Sequence, residues 1–437
     1  MCEDFSPRQP PNARDTIFAL ASGAGRGAIS VLRLSGTGAG IILKNLCENL
    51  PGPRQAALRQ LRDATGAILD RALVLWMPGP ASYTGEDVVE LHVHGGRAVL
   101  GAVTRALLGH GARPAEPGEF TRRAFLAGRM DLLEAEGLAD LVNAETEAQR
   151  RQALRQMSGA LGDRLSAWAA RLKQCLASQE ALIDFPDEHL PETVETSLLA
   201  DLQFLAADIE TEIAKAPGAE RLREGIAITI VGAPNVGKSS LLNALAKRDV
   251  AIVAASPGTT RDALEVRMDL GGVPVTLIDT AGLRETDDPV EAEGIRRARA
   301  RATSADLVLC VVDARDPEEF PGADITIANK IDLADPPQGI RGVSVLTGEG
   351  LYVLEQLLTE KVGRLAYVGT DPVFTRARHV AAARDAAAAL ARAQSCILPE
   401  LRAEDLRFAL NSLARITGAV DAEAILDEVF ASFCIGK

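Results

Sequence analysis

Eight residues in the middle of the chain, Gly232-Ala233-Pro234-Asn235-Val236-Gly237-Lys238-Ser239, constrain its fold more than any other stretch. They satisfy the Gly-x4-Gly-Lys-Ser pattern of a phosphate-binding loop. The apolar run Ile226–Val231 ahead of them predicts a strand, and Leu241-Leu242-Asn243-Ala244-Leu245 behind them predicts a helix. In that setting the glycines let backbone N–H groups close around a β-phosphate at a helix N-terminus. Val236, Gly237 and Ser240 belong to the same cradle. Lys238 brings a positive charge to the β- and γ-oxygens, and the Ser239 hydroxyl is placed for Mg²⁺.

Two further motifs say which nucleotide. Asn329-Lys330-Ile331-Asp332 follows the apolar run Ile325–Ala328. The Asp332 carboxylate can accept from guanine's ring N–H and exocyclic amine, whereas adenine would present it with an acceptor. Lys330 can lie along the base plane, and Asn329 can tie this loop to the phosphate loop. Asp279-Thr280-Ala281-Gly282 closes the run Val273–Ile278; Asp279 is placed for the magnesium water shell and Gly282 for a γ-phosphate oxygen. The three motifs together predict a GTP-binding domain over residues 222–366.

The segment Ser256-Pro257-Gly258-Thr259-Thr260-Arg261-Asp262 precedes a predicted hairpin, Leu264–Leu270 and Val273–Asp279 joined by Gly271-Gly272. Thr260 is placed to reach Mg²⁺ and sense the γ-phosphate, which makes its loop an order–disorder switch. Leu283 stands where Ras-like switches carry the glutamine that orients the attacking water, so another polar group must do so. The run Arg284–Glu291 offers several acids, although such a run is by default a solvated loop. Between Asp313 and Ile325 lie eleven residues with two prolines, too few for the usual crossover helix. A missing helix, or one reduced to a turn, is expected there.

At 437 residues the chain has room for about three domains. Strands are predicted at Thr16–Ser22, Ala28–Ser35, Arg71–Met77 and Asp87–His94, giving an α+β domain over residues 1–120. Residues 121–221 and 367–437 read as helix on either side of the nucleotide domain. The economical reading is one helical bundle with the GTPase inserted into it. Leu154, Met157, Leu161, Leu165, Trp168, Leu172 and Cys175 step by three or four and predict one buried stripe. His92 and His94 share a strand face without a third ligand, so no metal site is expected there.

Six cysteines without C-x-x-C spacing suit reduced thiols and a cytoplasmic location. No run of 18 apolar residues and no signal-peptide pattern is present, so no membrane association is expected. Net charge is −13 with no Lys/Arg block, which excludes wrapping nucleic acid by bulk electrostatics; DNA is not an expected partner. Any contact with RNA must be local or assisted.

With these motifs stand Gly25-Arg26-Gly27, Leu32-Arg33-Leu34-Ser35-Gly36, Tyr83-Thr84-Gly85-Glu86-Asp87, Pro117-Gly118-Glu119-Phe120-Thr121, Ile183-Asp184-Phe185-Pro186-Asp187-Glu188 and the tail Phe433-Cys434-Ile435-Gly436-Lys437. In combination they resemble the MnmE (TrmE) family of bacterial tRNA modification GTPases over nearly the whole chain. The resemblance implies a multidomain α/β and all-α protein: an N-terminal α+β folate-binding and dimerisation domain, a helical bundle, and an inserted Ras-like P-loop GTPase domain. It implies a homodimer that works with a flavin-dependent partner to place an aminomethyl or carboxymethylaminomethyl group on C5 of the wobble uridine of certain tRNAs. The one-carbon source would be 5-formyl- or 5,10-methylene-tetrahydrofolate.

By motif position Arg33, Glu90, Arg129 and Lys437 would fall at the folate site; the family commonly has lysine where Arg129 stands. Asn235 would ligate an activating K⁺, joined by oxygens from Ala254, Ser256 and Thr259 in the loop that also holds Ala255, Pro257 and Gly258. Glu291 would orient the attacking water, singling it out of the acidic run, and Ser344-Val345-Leu346, where the family tends to have Ser-Ala, would form the base-binding loop and contact guanine through backbone N–H. Lys238, Thr260, Glu291 and Cys434 are thus the candidate catalytic residues. A ribosome-assembly GTPase would share the nucleotide motifs but carry a basic RNA-binding domain, against the charge balance here. A folate carrier with a vestigial GTPase would not keep Lys238, Ser239 and Asp279 together.

Overall fold

The structure, a computed structural model, describes residues 15–23, 25, 27–184, 192–248, 265–279, 305–317, 321–366, 369, 373–420, 426, 429–431, 433 and 436. The chain divides into two compact units: residues 1–139 with 417–437, and residues 140–416.

In the first unit the elements run β1 (Ile17–Leu20), β2 (Ile29–Ser35), α1 (Ala39–Leu46), β3 (Ala57–Arg62), β4 (Ile68–Met77), β5 (Val88–His94), α2 (Arg97–Gly109), β6 (Arg113–Pro114), α3 (Glu119–Leu126) and the start of α4 (Leu132–Asn143). The strands form one sheet ordered β3-β4-β5-β2-β1-β6, antiparallel except for the β1–β6 pair. Alternation drives the inner face: Leu32 and Leu34 of β2 and Leu91 and Val93 of β5 bury against Leu43 and Leu107. The four expected strands are present within a few residues; β3 and β6 were not anticipated. In β3 only Leu61 is buried, so this edge strand lacks an alternating apolar signal, and β6 is two residues ending in a proline. The C-terminal segment completes this unit. Leu426, Phe430 and Phe433 pack on Leu132, Ala135 and Ala139.

The second unit contains α5 (Glu147–Met157), α6 (Ala160–Asp184), α7 (Glu192–Glu224), β7 (Ile226–Val231), α8 (Lys238–Ala246), β8 (Glu265–Leu270), β9 (Val273–Asp279), β10 (Leu307–Asp313), β11 (Ile325–Asn329), β12 (Arg341–Val343), α9 (Leu351–Leu365), α10 (Ala377–Ser395) and α11 (Pro399–Thr417). Helices from both sides of the nucleotide domain join. Trp168 of α6 meets Phe374 with ring centroids 6.3 Å apart, Gln179 Nε2 donates to Pro399 O at 3.1 Å, and Arg402 Nη1 donates to Glu195 Oε1 at 3.1 Å. The expected single stripe is broken, however. Leu161, Leu165, Trp168, Leu172 and Cys175 are buried, but Met157 is 36% exposed and Leu154 only half-buried. The cause is Gly159, at φ 82°, which ends α5 and resets the phase before α6. Helix α5 buries Ala148, Gln152, Ala153 and Gln156 instead.

That polar face of α5 holds both linkers of the inserted domain. Gln152 Nε2 donates to Ala219 O at 3.1 Å and Gln149 Nε2 to Arg223 O at 2.9 Å on the way in. On the way out Thr375 Oγ1 donates to Gln156 Oε1 at 3.0 Å, while Arg223 Nε reaches Thr375 O at 2.9 Å. The inserted sheet is ordered β12-β11-β10-β7-β9-β8, parallel except for β8. Gly271 and Gly272, at φ 66° and 90°, form the tight β8–β9 turn expected from their sequence. Between β10 and β11 the described residues form no helix, only a turn and a bridge from Asp313 to Asp316. The described part of this connection agrees with the short crossover that the eleven-residue spacing predicts.

Candidate nucleotide site

Parallel strands end at one edge of the inserted sheet, and the motif residues gather there because each follows a strand. Two glycines set the phosphate loop. Gly232 has φ 144°, and a Cβ on it would lie 2.1 Å from Val311 O. Gly237 has φ 97°, caps α8, and would place a Cβ 2.3 Å from Asn329 Nδ2. Val236 is buried beside them, whereas Ser240 is exposed in the first turn of α8. Lys238 is buried, and its ammonium folds back to donate to Gly232 O and Ala233 O, both at 2.8 Å. An ionised phosphate oxygen is a stronger acceptor than either carbonyl, so the lysine is poised at the mouth of an anion cradle.

Ser239 Oγ donates to Asp279 Oδ2 at 2.5 Å. Asp279 itself is 1% exposed. A hydroxyl and a carboxylate brought together at a helix start are hard oxygen donors, the kind that suit Mg²⁺ held through one direct ligand and a water shell.

The base loop is tied to the phosphate loop as the sequence predicts. Asn329 Nδ2 donates to Val236 O at 2.8 Å, and its Oδ1 accepts from Val345 N at 3.3 Å. Lys330, at φ 67°, donates from Nζ to Asn235 O at 2.7 Å. Ser344 is fully buried and donates from Oγ to Asp332 Oδ1 at 2.5 Å, aiming the carboxylate that would read guanine. Thr347 N donates to Ser344 Oγ at 3.2 Å. Asn235 is exposed at φ 64°, and its carbonyl is engaged by Lys330. Sequence reasoning missed Asp313 and Arg315. Asp313 accepts from Lys330 Nζ at 2.8 Å and from Arg315 Nη2 at 2.8 Å. The only available signal was an acid closing an apolar strand.

In the first unit Arg33 and Glu90 are cross-strand partners of β2 and β5. Arg33 Nη2 and Nε donate to Glu90 Oε1 at 2.9 and 3.1 Å, and His92 Nε2 lies 3.4 Å from Glu90 Oε2. His94 pairs elsewhere, with Nδ1 2.8 Å from Asp70 Oδ1. The Arg33 guanidinium stands 5.7 Å from the Tyr83 ring, whose hydroxyl lies 2.9 Å from Thr121 Oγ1; burial pushes that phenol's pKa up and keeps it neutral. Arg129 is exposed, and its stem passes Gly85. Gly436 closes on the end of β1, where a Cβ would lie 2.5 Å from Leu20 O.

Ala254, Ala255, Ser256, Pro257, Gly258, Thr259, Thr260, Thr280, Ala281, Gly282, Glu291, Cys434 and Lys437 lie outside the described residues. Among the described residues no helix is long and apolar enough to cross a membrane.

Residues 132–434 match the MnmE helical domain, and residues 16–129 match the N-terminus of the GTP-binding protein TrmE. The chain belongs to the MnmE family. Its relatives in that family include the tRNA modification GTPase MnmE of Gluconacetobacter diazotrophicus, 56% identical over 434 residues, covering 98% of this chain and all of that protein. The MnmE proteins of Granulibacter bethesdensis and Acidiphilium cryptum are 52% and 54% identical over 439 and 430 residues, 97% of this chain in each case and 100% and 99% of theirs. Membership in the MnmE family makes the chain an enzyme of the GTPase class acting in tRNA modification.

Proposed function

We propose that this MnmE-family chain hydrolyses GTP to drive addition of an aminomethyl or carboxymethylaminomethyl group to C5 of the wobble uridine in certain tRNAs, in the cytoplasm and together with a flavin-dependent partner. The observation that carries the reading is the juxtaposition at one sheet edge of Lys238, the Ser239–Asp279 pair and the guanine-reading Asp332, in a domain whose two linkers are both held by α5. A domain tethered at both ends passes any rearrangement into the helices that hold it.

In this reading Lys238 binds the β- and γ-oxygens, and Ser239 and Thr260 would hold Mg²⁺, which would neutralise charge on the phosphates. Glu291 orients the attacking water. The Asn235 side-chain oxygen, with oxygens of Ala254, Ser256 and Thr259, would hold K⁺, which would supply the positive charge that an arginine finger gives elsewhere, an effect of about 10³–10⁵ in rate. Pairing of the GTP domains in a homodimer would accompany binding of that ion. Hydrolysis is therefore expected to rise at least about tenfold in K⁺ over Na⁺, and Asn235→Ala to remove the difference. Equal rates in the two salts, with Asn235→Ala harmless, would discard the potassium role.

The first unit would hold the tetrahydrofolate. Glu90, oriented by Arg33 on Oε1 and by His92 3.4 Å from Oε2, would accept from a pterin's amino–imino edge, while Arg129 and Lys437 suit the glutamate carboxylates. Cys434 would take part in the modification step. Glu90→Ala should weaken 5-formyltetrahydrofolate binding by about ten- to a hundredfold in calorimetry, with GTP hydrolysis retained. Undiminished folate binding would place the pterin elsewhere.

A further inference from the structure

Asp313 and Arg315 belong to none of the nucleotide motifs, yet Asp313 bonds to Lys330 of the base-reading one. Asp313 closes β10 and is the register partner of Asn329 on β11. Its Oδ1 accepts from Arg315 N and Nε, both at 3.0 Å, and its Oδ2 from Arg315 Nη2 and Lys330 Nζ, both at 2.8 Å. The carboxylate is only 13% exposed. Hydrogen bonds from Arg315 and then Lys330 hold its pKa well below the usual carboxylate range. Lys330 needs such a restraint. A lysine at φ 67° is in a conformation that side chains with a Cβ seldom adopt, and a four-carbon stem left alone samples many rotamers.

We propose that Asp313 is a positioning residue for GTP. By gripping the Lys330 ammonium against Asn235 O, it fixes the lysine stem along the guanine plane and clasps the base loop to the phosphate loop. Arg315 is the brace, bonding both carboxylate oxygens and so holding Oδ2 toward Lys330. The clasp acts on the bound base and not on the γ-phosphate, so it governs affinity more than the chemical step. It is also indifferent to the base's amino group, which Asp332 reads.

The test uses the full-length chain with GDP, IDP and GTP. Asp313→Ala should weaken GDP and IDP equally, by about ten- to a hundredfold, and raise KM for GTP while kcat at saturation falls far less. Asp313→Ala combined with Lys330→Ala should bind GDP no more weakly than Lys330→Ala alone, because Asp313 acts only through that lysine. Arg315→Ala should lose affinity in the same direction but less. The proposal is overturned by GDP affinity within twofold of wild type in Asp313→Ala, by additive losses in the double variant, or by a fall in kcat with KM intact. Should Asp313→Ala not fold, the Arg315→Ala and Lys330→Ala pair decides it: additive losses between those two overturn the clasp, and non-additive losses support it.

Discussion

Asp332→Asn is expected to lower GDP affinity by about 10³-fold or more and to raise affinity for XDP, moving the enzyme from guanosine to xanthosine nucleotides. Ser344 Oγ donates to Asp332 Oδ1 at 2.5 Å, so the side chain is held in one orientation. Guanine offers a ring N–H and an amine, both donors, and a carboxylate accepts from both. An amide keeps one acceptor and turns the other into a donor. That donor then faces guanine's amine and leaves two desolvated donors unpaired, the situation in which binding sites discriminate by 10⁴–10⁵. Xanthine carries a carbonyl in place of the amine and restores the pair. The two side chains are nearly isosteric, so thermal stability should move little. Competition of GDP and XDP against a fluorescent nucleotide measures the switch. Unchanged GDP affinity would mean that Asp332 does not read the base.

The nucleotide motifs were legible in the sequence because each demands a particular residue at a particular backbone conformation. Gly232, Gly237 and Gly271-Gly272 take up positive φ, and Asn329 ties the loops as its type and place suggest. Register-dependent pairings were harder. Arg33 and Glu90 stand 57 positions apart and meet only because β2 and β5 align them. The Asp313–Lys330 pair similarly needs β10 and β11 side by side. The glutamines of α5 left no signal either, since their partners are backbone carbonyls, which every residue has. Periodicity misled at Gly159, where an apolar step of four continued across a helix break. Nothing in the spacing says that residues 417–437 join the N-terminal unit; the phenylalanines 430 and 433 that seat them on α4 look like any other apolar pair.

Gly237→Val should abolish measurable GDP binding at micromolar concentrations and destabilise the inserted domain, whereas Gly363→Ala in the same domain should stabilise it. A β-branched residue at φ 97° is outside the regions open to it, which costs about 1–3 kcal/mol. The new Cβ would also lie 2.3 Å from Asn329 Nδ2, displacing the amide whose bond to Val236 O joins the two nucleotide loops. Breaking that buried bond costs about 1–3 kcal/mol more. The two effects fall on the same few atoms, so phosphate and base contacts fail together. Gly363 is the control because it lies in α9 with nothing within 4 Å of a Cβ. Alanine there removes backbone freedom from the unfolded chain and gains about 0.5–1 kcal/mol. Thermal unfolding and GDP titration of the two variants separate the causes. If Gly237→Val bound GDP normally, the left-handed turn ahead of Lys238 would not be what shapes the phosphate cradle; a matching loss in Gly363→Ala would make the sensitivity a property of the whole domain and not of that turn.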